Sequence, residues 1–598
     1  LELIREPSVL FVDEPTSGLS SADSDVVMGL LKAQAARGRL VIAIVHQPSS
    51  NLFRQFDALW ILDKGGVPVY MGHPLEAARH FREAAHLAGG DRGVCPECGN
   101  VHPEQIFALI ESKATDADGR FTRERRFPPE FWHDAWRKTA PVPDAAGAPA
   151  GEPPPRHLSR PGWIGQLRVF LSRTLRARLA SRAYVGVNLL EPPLLAGLTV
   201  WLCRGAAGGT YVLGGNPYLA VYFFMAVIVA IFLGLSVSAE EIVRDRRVLR
   251  REQFLHLSWS AYSGAKILHV AGLALLQTAI CAAIGVVGLR VPDFFGKLWL
   301  ALFSAAVFGG ILGLNVSARF KSAVTVYVLL PLLLLPQMLL GGLIVDFDDL
   351  RSRAAPHACP PWFGELTASR WAFEALVVEQ FQSNAYQRHF LEIDRELSNL
   401  DYLVNDWIPA LQGRLDALFL ASPDRGKKIR AQLIREFGAL EGESDRLSGA
   451  RLAVRSLRPP ERAGFDALKA DLRALASAEL AARPALISRR DAIQEALLAA
   501  HGEEGLAAFV KANSNRKLIE LVRRKGLKDP LREQGGRFVR LADPVYQPAE
   551  SPWGRAPFMA GEKRIGNRRF RTYGFDLGAL WLMNAALAVV LAARRPKA

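Results

Sequence analysis

Cysteine is scarce in this chain. Five in 598 residues, widely scattered, are too few for a disulfide framework. No secretory leader pattern opens the sequence, and Leu1 already stands inside a domain in progress, so a truncated start is expected. Nowhere is there a Gly-x-x-x-x-Gly-Lys-Ser/Thr loop. A bound triphosphate needs the cradle of backbone N–H groups that such a loop supplies, so this polypeptide alone is expected not to hold one tightly. Acidic residues are also in deficit, 59 against 74 Lys and Arg, for a formal charge of +15. Excess base suits nucleic acid or an anionic membrane surface. Here the bases cluster beside long apolar runs, so membrane lipids are the expected contact and nucleic acid is not.

The length exceeds one folding unit. Half the residues are hydrophobic while 22% are charged, a mixture that fits alternating apolar and solvated blocks. Apolar stretches run over Tyr184–Cys203, Pro217–Val237, Ala265–Leu289, Leu298–Val316, Ala323–Val345 and Leu577–Ala593. Each is about long enough for a helix to cross the hydrocarbon core. Bases crowd the loop after the second (Arg244, Arg246, Arg247, Arg250, Arg251), the loop after the fourth (Arg319, Lys321) and the tail (Arg594, Arg595, Lys597). The excess of cytoplasmic bases places both termini in the cytoplasm of a multi-pass protein of the cell (inner) membrane. Ahead of the first run, Trp163, Leu167, Phe170, Leu171 and Leu175 fall at helical spacing, which predicts an amphipathic interface helix.

At the start, Val9-Leu10-Phe11-Val12 is an apolar run that ends in Asp13-Glu14. It predicts a fully buried parallel strand delivering two acids to the sheet edge where ligands bind. Such a pair suits phosphoryl transfer: Asp13 holds Mg²⁺ through water, and Glu14 polarises the attacking water. Ser17-Gly18-Leu19 predicts a tight turn before a helix over Ala22–Ala36, and Leu40–Val45 a second buried strand with His46-Gln47-Pro48 at its end. An imidazole there can hydrogen-bond a γ-phosphate; a lone strand-end histidine is otherwise structural.

In this order and spacing the segments resemble the ABC ATPases. Val9 to Pro15 is similar to a Walker B motif, Thr16-Ser17-Gly18-Leu19-Ser20-Ser21 to a D-loop, and Val45-His46-Gln47-Pro48 to a switch-histidine segment. The His-Gln-Pro-Ser run and Tyr70-Met71-Gly72-His73-Pro74 resemble the G (White-type) subfamily, as do Tyr262-Ser263-Gly264-Ala265-Lys266 and Ala368-Ser369-Arg370-Trp371-Ala372-Phe373-Glu374-Ala375-Leu376. The resemblance implies ATP and Mg as cofactors, with Glu14 and His46 catalytic and Asp13, Ser17, Gly18, Leu19, Ser20 and Gln47 at the nucleotide. The family carries aspartate where this chain has Ser20, which puts communication between cassettes at this loop in question. The P-loop and the signature motif lie upstream of Leu1 in the family.

The expected organisation is an α/β P-loop-type cassette fragment followed by an all-α six-helix membrane domain with a large extracytoplasmic α-helical insertion. Its parts are 1–92 (cassette), 93–160 (linker, Pro/Ala-rich over 140–155), 161–345 (interface helix and spans one to five), 346–572 (insertion) and 573–598 (sixth span and tail). Within the linker, Cys95-Pro96-Glu97-Cys98 is either half of a zinc site, completed by His86 or a partner chain, or a plain surface turn. The stretch Glu240–Glu252 predicts a short cytoplasmic helix; in the family this is the coupling helix, here with Glu241, Arg244, Arg247 and Glu252. Glu191, before Pro192-Pro193 in the first span, is either a pathway group or a structural, salt-bridged acid. The resemblance implies a half-transporter, dimeric with a second copy, that exports a lipid-like or amphipathic substrate. Two alternatives stay open: ATP-driven mechanotransmission to an envelope partner, and a pseudo-subunit without ATPase activity.

Overall fold

A computed structural model describes residues 7–46, 48–86, 103–115, 120–140, 161–204, 211–252, 257–345, 347, 359–440, 454–455, 462–527, 529–549 and 551–593. Two compact units result, Leu1–Arg160 and Pro161–Ala598.

In the first unit, β1 (Val9–Asp13) and β2 (Leu40–Ile44) pair in parallel, from Val9 opposite Leu40 to Asp13 opposite Ile44. Parallel neighbours need a crossover, which α1 (Ser21–Ala36) supplies. A single turn, α2 (Ser50–Phe53), precedes the antiparallel β3 (Leu59–Asp63) and β4 (Val67–Gly72). Gly65 and Gly66 make that hairpin turn with φ of 84° and 76°, conformations glycine adopts without a Cβ clash. α3 (Pro74–Ala84) follows.

Residues 103–140, read in the sequence as linker, are structured. They form α4 (Pro103–Ile110), the hairpin of β5 (Lys113–Thr115) and β6 (Phe121–Arg125), and α5 (Pro129–Thr139). Trp132 of α5 is fully buried against Phe81 of α3, and the Asp63–Arg125 ion pair (2.6 Å) fastens the two hairpins. These elements are too short for a clear period, and their core is built from Ile106, Ile110, Phe127, Phe131 and Trp132 against α3 and β4. The expectation of fully buried strands also needs correction. Exposure alternates along β1 and β2, and Phe11 is 74% exposed, because no described element covers that face.

The second unit opens with α6 (Trp163–Leu179), which packs on α10 (Trp259–Leu289) through an edge-on Phe170–Tyr262 contact. Between them lie α7 (Arg182–Cys203), α8 (Leu219–Ser238) and α9 (Glu241–Glu252). α11 (Phe295–Arg319) and α12 (Ala323–Leu339) follow. Among the described residues five helical runs are long and apolar enough to cross a membrane: α7, Leu219–Glu252, α10, α11 and the final helix. α12, the expected fifth span, has 17 residues and two internal prolines, Pro331 and Pro336. At 1.5 Å per residue it reaches about 25 Å, short of a roughly 30 Å core.

α8 and α11 meet backbone to backbone. A Cβ on Gly234 would stand 2.0 Å from the Ala306 carbonyl oxygen, and one on Gly309 would stand 2.2 Å from that of Ile231. Small residues at such crossings let membrane helices approach closely.

Beyond α12 the chain does not leave the bundle at once. α13 (Ala368–Ser383) is buried along its length against α8, α11 and the final helix. The insertion proper contains α14 (Leu391–Tyr402), α15 (Ile408–Phe419), α16 (Pro423–Leu440), α17 (Arg462–Asn513) and α18 (Arg516–Arg523). A π-turn over Leu403–Trp407 joins the first two. Leu411, Leu415, Leu433, Phe437, Leu472 and Leu475 build its own core. It is not purely helical, as the sequence reading had it. β7 (Leu531–Gln534) with β8 (Arg537–Arg540), and β9 (Glu562–Ile565) with β10 (Arg568–Arg571), form two hairpins. These strands are short and charged, so they carry no alternating apolar pattern; only their turns, Gly535-Gly536 and Gly566-Asn567, signal them. The last helix, α19 (Thr572–Ala593), packs on α11 and α13.

Candidate functional site

In the first unit, the register of β1 and β2 brings Asp13, Glu14 and His46 to the carboxyl ends of two adjacent strands. Glu14 takes a left-handed conformation (φ 45°), and its backbone N–H donates to the Ile44 carbonyl at 2.9 Å. That bend lifts the chain off the strand into a tight loop. Ser17 N–H donates to the Glu14 carbonyl (3.1 Å), Leu19 N–H donates to that of Thr16 (3.2 Å), and Gly18 has φ 74°. Ser20 then caps α1, its Oγ accepting from the Asp23 N–H at 3.2 Å. Serine and aspartate are equally good at this position, so the cap tolerates the departure from the family residue. Asp13, Glu14, Ser17, Gly18, Leu19, Ser20 and His46 are all exposed. The arrangement offers carboxylates and an imidazole to a ligand at the sheet edge. Gln47, Cys95 and Cys98 lie outside the described residues. Among the described residues, no cluster of three or more His, Cys, Asp or Glu suits a metal.

In the second unit, only Ala239 and Glu240 separate α8 from α9. α9 has two faces. Arg244, Arg247, Arg250 and Arg251 are exposed, whereas Glu241 and Ile242 are fully buried. Glu241 meets Arg178 of α6 at 2.5 Å and Lys266 of α10 at 2.7 Å. Lys266, only 2% exposed, also reaches Asp245 at 2.8 Å, and the Tyr262 hydroxyl donates to that carboxylate at 2.8 Å. Glu252 pairs with Arg173 at 2.5 Å. The start of α9 is held by α11, since Ser317 Oγ accepts from the N–H groups of Ile242 and Val243, each at 3.1 Å. Two acids and two cations balance in the buried cluster, which low dielectric makes strong only while it is complete. From sequence alone Glu241, Arg244, Arg247 and Glu252 are assigned to this helix, whereas Arg173, Arg178, Asp245 and Lys266 have no evident role in it. Lys266 carried a signal, a cation at the start of a long apolar run.

Glu191 sits half-buried on α7, on the side that also exposes Val187, Leu194 and Leu198, and it makes no ion pair with the described residues. A second buried cluster, not foreseen in the sequence, lies at the other end of the bundle. Lys563 of β9 bridges Glu374 of α13 (2.8 Å) and Asp576 of α19 (2.5 Å), while Arg370 pairs with Glu374 and Glu365, each at 3.0 Å. Arg370 also stacks on Trp371 at 3.9 Å.

Residues 165–381 match the ABC-2 type transporter family model. The chain is 26% identical to an ABC transporter ATP-binding/permease protein of Mycobacterium tuberculosis over 388 residues, covering 63% of this chain and 40% of that protein. It is 24% identical to ABC transporter G family member 30 of Arabidopsis thaliana over 398 residues, 64% of this chain and 27% of that protein. To ABC transporter G family member 28 of the same plant it is 44% identical over 267 residues, 37% of this chain and 24% of that protein. The chain thus spans at most 40% of the length of these relatives.

Proposed function

From a chain that belongs to the G subfamily of ABC transporters, we propose a half-transporter that couples ATP hydrolysis to export of a lipid-like or amphipathic substrate across the cell membrane. Two copies pair, and ATP with Mg²⁺ is held between their complete cassettes. Asp13 holds the metal through water, Glu14 polarises the attacking water and His46 meets the γ-phosphate. Ser17, Gly18, Leu19, Ser20 and Gln47 line the nucleotide edge. Both termini lie in the cytoplasm, where ATP is available, and α9 is the coupling helix, with Glu241, Arg244, Arg247 and Glu252.

One observation carries this reading: α9 is bolted to α6, α10 and α11 by buried ion pairs and the Ser317 hydrogen bonds, while Arg244, Arg247, Arg250 and Arg251 are exposed. A push on α9 therefore moves the bundle rather than bending a loop. The insertion's own hydrophobic core favours a second reading, in which ATP cycles move that body against an envelope partner without transport.

The test is Glu14→Gln in the complete protein, reconstituted in liposomes. Nucleotide binding should persist while turnover and cargo efflux disappear; undiminished hydrolysis would remove Glu14 from its role. Full efflux after excision of residues 384–555 would dismiss the second reading.

A further inference from the structure

Where the insertion meets the bundle there is a cavity of about 420 Å³, lined by Gly214, Val510, Lys511, Arg516, Ile519 and Lys525, with Ser514 and Glu520. Its place is fixed by the chain. Gly214 lies in the segment joining α7 to α8, two of the membrane-crossing runs, at the end of α8 remote from α9. Asn515 clamps that segment to the insertion: its amide donates to the carbonyls of Leu213 and Asn216, each at 2.7 Å, while its Oδ1 caps α18. Contact is so close that a Cβ on Gly214 would stand 2.8 Å from the Lys511 carbonyl oxygen.

Three cations border the cavity and one acid. Glu520 already accepts from Arg516 (3.0 Å) and from Lys517 (2.8 Å). Lys511 and Lys525 have no ion-pair partner among the described residues. The lining thus carries a net formal charge of +2, beside the apolar side chains of Val510 and Ile519. A concave site with convergent polar groups over an apolar wall is the ordinary form of a small-molecule site. Clustered ammonium and guanidinium groups select phosphate-type anions.

We propose that this junction cavity binds a phosphate-bearing anion, with Lys511 and Lys525 supplying donors that no described acid pairs. The proposal rests on reading α7 and α8 as spans but not on ATP turnover, so it is tested without nucleotide and its failure leaves the transporter reading intact.

The full chain is placed in nanodiscs of phosphatidylcholine with a minority of phosphatidylglycerol, and retained lipid is counted by native mass spectrometry. In a second arm, inorganic phosphate is added and followed by ³¹P line broadening. Retention of phosphatidylglycerol should fall about tenfold in the Lys511→Gln/Lys525→Gln protein, recover in Lys511→Arg/Lys525→Arg, and stay unchanged in Lys427→Gln/Lys428→Gln on α16. Displacement by millimolar phosphate would assign the site to the free anion, and its absence to the lipid headgroup; both uphold the site. Equal binding of either probe by the double glutamine protein and the parent would overturn it, as would an equal loss in the α16 control. Both lysines are exposed, so thermal midpoints should match, and the arginine pair separates charge from folding.

Discussion

Glu241 sits inside the bundle with no exposure at all, and its charge is tolerable only because Arg178 and Lys266 flank it. Removing a single member leaves a buried charge without its partner, which costs roughly 3–5 kcal/mol, whereas removing an opposed pair together is often close to neutral. Lys266→Met should therefore lower the thermal midpoint sharply in detergent, and Glu241→Gln/Lys266→Met should lose less than the sum of the two single variants, since Arg178 and Asp245 each still lose a partner. A double variant whose loss equals the sum of the two single losses would mean that the ion pair carries no coupling. Burial of this kind is also where the sequence is least readable. Asp13, Glu14 and His46 could be named because each stands at the end of a local apolar run. Arg178, by contrast, is a base in a helix already rich in bases, and only folding reveals that it alone turns inward to Glu241.

At the scale of elements, the α8–α11 crossing leaves no space for a methyl group. Gly309→Ala would force its Cβ onto the backbone of Ile231, and overpacking of this kind costs about 1–3 kcal/mol. The change should show as a lower midpoint with unaltered helix content by circular dichroism; an unchanged midpoint would mean the helices can part. In the insertion, Asp543 joins α14, α18 and the β7–β8 hairpin. It accepts two bonds from Arg523 (2.7 and 3.0 Å) and one from the Ser398 hydroxyl (2.6 Å). Burial alone would raise its pKa, but these hydrogen bonds and the Arg523 and Arg540 charges outweigh it and hold the carboxyl below its usual value. The contribution is then complete above the ordinary aspartate value of about 4 and is lost as pH falls through the depressed one. Asp543→Asn keeps the left-handed backbone (φ 51°) acceptable and should flatten the acid limb of the stability–pH curve. An unaltered limb would assign that limb to other groups. The helices of the insertion were legible from leucine and phenylalanine spacing, as at Phe465, Leu468, Leu472 and Leu475. Its hairpins were not, because Arg537-Phe538-Val539-Arg540 and Glu562-Lys563-Arg564-Ile565 are stabilised by contacts distant in sequence, such as Lys563 with Glu374.

For the molecule as a whole, α9 has a buried face that holds it in the bundle and an exposed arginine face to which the proposed coupling is assigned. Arg244→Glu/Arg247→Glu changes only the exposed face, so in the complete protein the fold and basal ATP hydrolysis should survive while cargo efflux falls at least about tenfold. Efflux that keeps pace with hydrolysis would show that these arginines take no part in transmission. The glycine seam has a further implication for traffic through the bilayer. Two rods that touch without an intervening layer of side chains have nothing to swing aside, and a sterol ring or an acyl tail finds no doorway between them. On the proposed export reading, cargo would travel along another flank, such as the loosely covered side that bears Glu191, and a search for it by crosslinking should begin there.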